Sequence, residues 1–242
     1  MKAIILAAGY ATRMYPLTEN ASKALLPLRG KLMINHIIQQ INNLPEVDKI
    51  YVVTNSKFYL DFCEWAKNAP ANAKVEVLDD GTTSNQDRRG AVGDVQFTIA
   101  QKSINDELFV VAGDNYFTYD LREQLEVFRK TGCDTLTAME LKDIEKLKAF
   151  AVALLDENGK VMDLEEKPQN PKSNTAIFAA YFFRKATVPL FEKYLSEGNS
   201  PDNIGAFPAW LYKTQDIYAY KMNGECYDVG TLEMYEQLNS EE

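Results

Sequence analysis

A chain of 242 residues, 46% hydrophobic and 25% charged, is long enough to bury a substantial core and has the make-up of an ordinary folded domain. Its formal net charge of −9 argues against nucleic acid or an anionic membrane surface as a partner. A nucleotide substrate is not excluded, because charge is screened over about 8 Å at physiological salt and the local pocket decides.

An apolar strand, Ala3 to Ala7, opens the chain and runs into a loop of small residues. Helical spacing follows over Lys31 to Asn43, then a buried strand over Lys49 to Thr54 and a helix over Phe58 to Ala66. Lys74 to Leu78 reads as a strand, Asp79 to Arg89 as a polar segment, Gly90 to Gln101 as a helix and Leu108 to Ala112 as a strand. Leu121 to Lys130 is helical. The second half changes rhythm: strands over Thr135 to Met139 and Ala149 to Leu155, a hairpin signal at Asp156-Glu-Asn-Gly159, and a return through Val161 to Glu166. Thr175 to Phe183 is a long apolar strand. Helices over Val188 to Leu195 and Ile204 to Tyr212, a strand over Ile217 to Met222 and a helix over Leu232 to Leu238 complete the pass.

Strand-helix alternation of this kind predicts an α/β fold, a three-layer αβα arrangement with a mostly parallel, Rossmann-like mixed central sheet. No linker, repeat or low-complexity segment interrupts it, so residues 1–242 are expected to form a single domain. Cys63, Cys133 and Cys226 lie far apart, which suits reduced thiols in a cytoplasmic protein rather than disulfides or a zinc site. The longest apolar runs are too short to span a bilayer, and Lys2 leads directly into a core-like strand with no signal-peptide pattern.

The chemistry starts in the first loop, Leu6-Ala-Ala-Gly-Tyr-Ala-Thr-Arg13, followed by Ser22-Lys23-Ala-Leu-Leu-Pro27. Small side chains at the carboxyl end of a buried strand let backbone N–H groups face a ligand, and with two cations beside them the stretch suits a polyphosphate. A dinucleotide-binding turn needs three glycines and only Gly9 is present; a Walker loop needs Gly-Lys-Ser/Thr, which does not follow. Gly113-Asp114-Asn115 ends an apolar strand where the ligand crevice of an open α/β sheet lies, and a carboxylate there suits Mg²⁺. Pro168 biases Lys167 toward an extended backbone. His36, on an apolar helix face, is expected to serve packing, Arg29 and Lys31 to be solvated surface charges, and Thr231 is placed to cap the last helix.

Four motifs in order, the opening loop, Gly113-Asp-Asn115, Glu165-Glu-Lys-Pro168 and Tyr227-Asp-Val-Gly-Thr231, closely resemble those of the sugar-1-phosphate nucleotidyltransferases, in particular the glucose-1-phosphate thymidylyltransferase-like members. Ala11 stands where that family commonly has glycine, so the loop must tolerate a Cβ there. The resemblance implies an Mg²⁺-dependent enzyme that transfers a nucleotidyl group from an NTP to a sugar 1-phosphate, giving an NDP-sugar and pyrophosphate for polysaccharide or glycoconjugate synthesis. It implies catalytic roles for Arg13, Lys23 and Asp114, and nucleotide binding by Leu6, Ala8, Gly9, Arg13, Lys23, Asn85, Gly90 and Asp114. Asn85 and Gly90 match the family's base-reading Gln-x-x-x-x-Gly spacing; the shorter amide leaves thymine, uracil, cytosine and guanine open, with a pyrimidine nucleotide favoured.

The sugar phosphate is implied to meet Asn115, Phe150, Ala151, Glu166, Lys167, Asn174 and Ile177, with Glu166 on sugar hydroxyls and Lys167 on the phosphate; Asp114 and Asp228 are the implied metal carboxylates. Phe150-Ala151 replaces the common Tyr-Gly and makes the sugar's identity open. The N-terminal half would then bind nucleotide and the C-terminal half sugar phosphate, without the left-handed β-helix acyltransferase domain some relatives append. Many relatives are dimers or tetramers, so a homo-oligomer is compatible. Two other readings stand beside this one: a cytidylyltransferase for phosphocholine or a similar alcohol phosphate, which an aromatic cage would favour, and a non-catalytic nucleotide-sugar-binding regulator. Retention of Arg13, Lys23, Asp114 and Asp228 favours an enzyme over the latter.

Overall fold

The computed structural model describes residues 1–240. β1 (Lys2–Leu6) runs into a loop carrying two 3₁₀ turns, Thr12–Met14 and Lys23–Leu25, and then into a small hairpin of β2 (Pro27–Leu28) and β3 (Lys31–Leu32). α1 (Met33–Ile41), β4 (Lys49–Thr54), α2 (Tyr59–Ala66), β5 (Lys74–Asp79), α3 (Ala91–Lys102) and β6 (Leu108–Ala112) complete the first half. The second half comprises β7 (Asn115–Phe117), α4 (Leu121–Thr131), β8 (Asp134–Glu140), α5 (Ile144–Leu147), β9 (Ala151–Leu155), β10 (Val161–Glu166), β11 (Thr175–Phe183), α6 (Leu190–Ser196), α7 (Ala206–Leu211), β12 (Ile217–Lys221), β13 (Cys226–Asp228) and α8 (Leu232–Ser240).

Nine strands form one mixed sheet in the order β10-β9-β11-β6-β1-β4-β5, with β8 on the far edge of β11 and β12 beyond it. β1, β4, β5 and β6 are mutually parallel, and the near-continuous apolar runs of β1, β4 and β6 suit strands covered on both faces. From β1 the chain goes to β4 and β5 on one side and then to β6 on the other. That reversal opens a crevice at the carboxyl ends of β1 and β6, where α/β sheets bind ligands.

β11 joins the two halves. Its last residues pair antiparallel with β6 along one edge, Ala176 and Ile177 pair with β9 on that same edge, and β8 runs along the other. A register shift between Phe178 and Tyr181 accommodates the change of partner. Residues of alternate parity fill two separate cores. Ala3, Ile5, Val52 and Val111 meet α1, α2 and α4 on one face; Ile4, Val53 and Val110 meet α3, α6 and α7 on the other. The expected three layers are thus present.

Two short ribbons were not legible as strands. β13 pairs antiparallel with β7, placing Asp228 opposite Asn115, and the β2–β3 hairpin packs beside α8 through the cluster of Leu28, Met33, Tyr116, Val229 and Leu238. Arg29 corrects the expectation of a solvated charge. With φ at 46°, it donates Nε to Leu238 O at 2.9 Å and Nη1 to the Tyr116 hydroxyl at 3.2 Å, and its amide donates to Asn239 Oδ1. The reason is neighbourhood: the hairpin turn delivers the guanidinium to the open carbonyls of the α8 C-terminus. His36 is the packing residue expected, edge-on to Tyr116 and hydrogen-bonded through Nε2 to Leu28 O at 2.8 Å. Among the described residues no helix is long and apolar enough to cross a membrane.

Candidate active site

The loop after β1 builds the first wall of the cleft. Ala7 N donates to Val53 O, while Thr54 Oγ1 and Asn55 Nδ2 donate to the Ala7 and Ala8 carbonyls at 3.2 and 2.8 Å. Those carbonyls are held against β4, away from the cavity of about 280 Å³ lined by Gly9 to Arg13, Lys23, Asn85 and Asp114. Among the described residues the amides of Gly9, Tyr10, Ala11 and Thr12 donate no backbone hydrogen bond, which is the condition for an anion-binding nest. Ala11 sits in the left-handed region at φ 47°, ψ 41°, with Thr18 Oγ1 donating to its carbonyl at 2.8 Å. The loop therefore imposes a glycine conformation on alanine, which explains the family's usual choice there.

Lys23, on the second 3₁₀ turn, reaches across to Asp114 at 2.6 Å; the two side chains are 12% and 31% exposed. Asp114 follows β6 through Gly113, whose amide donates to Leu6 O at 2.8 Å and where a Cβ would lie 2.8 Å from that same oxygen. Only glycine lets the chain turn so close to β1. Asp228 arrives at the end of β13, and Val229 N donates to Asp114 O at 3.2 Å. Gly230 lies between the Arg13 guanidinium and the Asp228 carboxyl, since a Cβ there would stand 3.4 Å from Nη2 and 3.5 Å from Oδ1.

Asp228 opens toward the cleft on one side and is crowded by protein on the others. Desolvation, followed by the neighbouring charge of Asp114, pushes its carboxyl up to about 6, while Lys23, Arg13 and Lys167 pull the other way. Two carboxylates that repel each other, Asp114 lining all three cavities of the cleft and Asp228 the second, fit a hard dication that binds oxygen and completes its shell with phosphates and water. Asp114 and Asp228 are the residues that could hold Mg²⁺.

A second cavity, of about 240 Å³, opens on the other side of this pair. It gathers Asn115, Phe150, Ala151, Glu166, Lys167 and Ile177, together with Asp202 to Gly205. Burial raises the Glu166 carboxyl and Lys167 opposes the rise. Lys167 Nζ donates to Asn203 Oδ1 at 2.7 Å. The expected extended backbone at Lys167 is not found: its φ is 50°, in the left-handed region. Its amide still donates to Phe150 O at 3.0 Å, closing the β9–β10 ladder, and the chain turns sharply away at that point; a following proline disfavours the right-handed helical region but leaves this one open. Asn174 lies apart, in a groove beside Leu141 and Pro171, with its carbonyl accepting from Leu141 N. It stands three residues before Ile177, so strand alternation puts the two on opposite faces.

The third cavity, of about 220 Å³, lies beyond the loop and is lined by Leu6, Ala8, Gly9, Asp80, Arg88, Gly90, Asp94 and Asp114, among others. Gly90 and Asn85 are therefore divided between two cavities, Gly90 here and Asn85 beside the nest. Gly90 has φ 83°, and a Cβ on it would stand 2.5 Å from Pro201 O, so its requirement comes first from the neighbouring backbone. Pro201 O and Asp202 O accept from Val92 N and Ala91 N, closing the first turn of α3.

Four contributors were not legible in the sequence as site residues. Gly205 makes room for Glu166, whose Oε2 would collide with any Cβ there. Asn203 holds the Lys167 ammonium. Asp80 and Asp94 are 1% and 5% exposed at the third cavity. A signal for Asp94 existed, an acid on the helix face shared by Val92, Val95 and Ile99.

A family model described as nucleotidyl transferase matches residues 2–242. The bifunctional protein GlmU of Methanocaldococcus jannaschii is 33% identical over 231 residues, covering 95% of this chain and 51% of that one. Glucose-1-phosphate adenylyltransferase of Clostridium novyi is 26% identical over 253 residues, covering 99% and 66%. The chain thus spans about half the length of the first relative. A solved UDP-glucose pyrophosphorylase complexed with UDP-glucose shares the fold at a TM-score of 0.83 and 20% identity, covering 99% of this chain and 97% of that one. With nearly its whole length matched, the chain belongs to the nucleotidyl transferase family.

Proposed function

We propose that the protein joins an NTP, preferentially a pyrimidine nucleotide, to a sugar 1-phosphate, releasing an NDP-sugar and pyrophosphate. One observation carries this reading: a nest with Arg13 and Lys23 in one cavity and Lys167 beside Glu166 in the next, with Asp114 and Asp228 between them. Two anionic groups can thus be brought together at a shared metal site.

A non-bridging oxygen of the sugar phosphate attacks the α-phosphorus, the bond to the bridging oxygen breaks, and its electron pair leaves with pyrophosphate. The attacking oxygen is already anionic near neutral pH, so no side-chain base is required. The Gly9 to Thr12 amides, Arg13 and Lys23 hold the departing pyrophosphate in line. Lys167 fixes the incoming phosphate and Glu166 accepts from sugar hydroxyls, against a wall of Asn115, Phe150, Ala151 and Ile177. Asp114 and Asp228 would hold Mg²⁺, which would supply positive charge to neutralise the phosphate oxygens. Leu6, Ala8 and Gly9 line the nucleotide path, with Asn85 and Gly90 at its two sides. Residues 1–242 are read as one domain of a cytoplasmic protein, compatible with a homo-oligomer, whose partners are the NTP and the sugar 1-phosphate rather than nucleic acid or a membrane.

Pyrophosphate release across a grid of NTPs and sugar 1-phosphates with Mg²⁺ tests the reaction. Release with at least one pair, abolished by EDTA, is expected. Tight nucleotide binding with no release from any pair would instead make the protein a binding regulator, and release only with CTP and phosphocholine would overturn the sugar assignment.

A further inference from the structure

The third cavity contains polar groups that the phosphate and sugar sites leave unused. Asp80, after β5, and Asp94, in the first turn of α3, face each other across its wall, both more than nine-tenths buried. Asp80 Oδ1 is fully engaged, accepting from Thr82 N at 2.7 Å and Thr82 Oγ1 at 2.8 Å. Asp80 Oδ2 and Asp94 Oδ1 have no hydrogen-bond partner. Burial, reinforced by the Asp80 charge, pushes the Asp94 carboxyl up to about 8, against a smaller pull from Arg89. Around neutral pH the pair therefore retains a proton, and one proton shared between the two orphaned oxygens satisfies both.

This arrangement leaves the second oxygen of Asp94 as the group of the pair that can meet a ligand. Being the unprotonated oxygen of a carboxylic acid, it accepts a hydrogen bond and cannot donate one. The Arg89 guanidinium does not reverse this, since its Nε donates to Asp80 O at 2.5 Å and its plane lies over the Phe97 ring at 4.6 Å. Arg88 is engaged outward with Asp202 at 3.2 Å.

We infer that Asp94, held by Asp80, reads the nucleotide base in this cavity by accepting from an exocyclic amino group, so that among pyrimidine nucleotides the protein selects CTP over UTP. The inference rests on the proposed reaction only in taking the third cavity as the base site. An amino group at position 4 of the ring donates to the free Asp94 oxygen. The oxo group of uracil at that position sets acceptor against acceptor and leaves a buried acid unpaired, which is the situation that produces large discrimination.

Equilibrium binding of CTP and UTP with Mg²⁺ tests this without requiring turnover. CTP is expected to bind ~10-fold or more tightly than UTP. In Asp94→Asn the amide N–H takes the place of the shared proton on Asp80 Oδ2 and the amide oxygen still faces the ligand, so the CTP/UTP preference should persist, whereas Asp94→Ala, which removes the acceptor, should abolish it in a protein that still shows a cooperative melting transition. Equal affinity of the native protein for the two nucleotides would overturn the assignment, whatever the variant does. So would an unchanged ratio in folded Asp94→Ala. If the ratio behaves as expected but no pyrophosphate is released with any sugar phosphate, the base reading stands and the transferase reading falls.

Discussion

On the proposed reaction, Arg13 and Lys23 line the cavity where charge would develop on the leaving pyrophosphate. Two unit charges about 4 Å apart interact by ~4 kcal/mol at an effective dielectric near 20, so a cation that follows the departing group is worth ~10²–10³ in rate, as for an oxyanion-hole donor. Arg13→Ala and Lys23→Ala should each lose that much in kcat while melting normally; near-native turnover in a folded variant would remove the role. Asp228 makes a pH prediction with a definite sign. Its carboxyl rises from 3.8 to about 6 on folding, so between those values the native state holds the proton more tightly than the unfolded chain. This group therefore costs stability progressively as pH rises through that window, with the full cost present above it. Without metal, Asp228→Asn should raise the melting temperature at pH 7.5 and change little at pH 3.5. Mg²⁺ should stabilise the native protein at pH 7.5 and lose affinity below about pH 6, as protons compete for the carboxylate. Ala11→Gly removes the cost of a left-handed Cβ but frees the unfolded chain, so a net gain of ~0.5–1 kcal/mol in urea denaturation is expected.

Among the elements, the parallel strands were the easiest to foresee. Runs such as Lys49–Thr54 and Leu108–Ala112 are apolar on both faces, and that composition permits little else. The β7–β13 ribbon was not foreseeable in the same way. Three residues per strand carry too little periodicity, and their pairing depends on a partner far off in sequence. The motif at Asp228 was legible while the means of bringing it to Asp114 was not. Lys167 illustrates a different loss, because its left-handed backbone is set by the turn out of β10 and not by any local preference. Gly205 likewise has meaning only against Glu166, a residue from another element. Gly205→Ala should therefore push Glu166 aside and raise KM for the sugar phosphate by ~10-fold or more, with KM for the NTP nearly unchanged. A parallel rise in both constants would mean that the whole cleft had moved.

On the scale of the whole molecule, three separate stretches are fastened at one corner, and Arg29 is the fastening. It links the β2–β3 turn to Tyr116 of β7 and to the last turn of α8, with its guanidinium 5.2 Å from the Tyr116 ring centre. Arg29→Ala should cost ~1–3 kcal/mol in urea denaturation, because it strips partners from carbonyl and hydroxyl groups that are partly enclosed. Activity should fall too, since β7 carries Asn115 opposite Asp228.

The same pairing has a consequence for the order in which the molecule is made. A chain emerging from the ribosome presents the Gly9 to Lys23 loop and Asp114 long before the partner strand of β7 has been synthesised. At that stage the nascent chain carries the loop proposed to cradle the triphosphate but only one of the two proposed metal carboxylates. On the proposed reaction, completion of β13 is then a final clasp, and competence arrives late, after the residues that line the second cavity have been made.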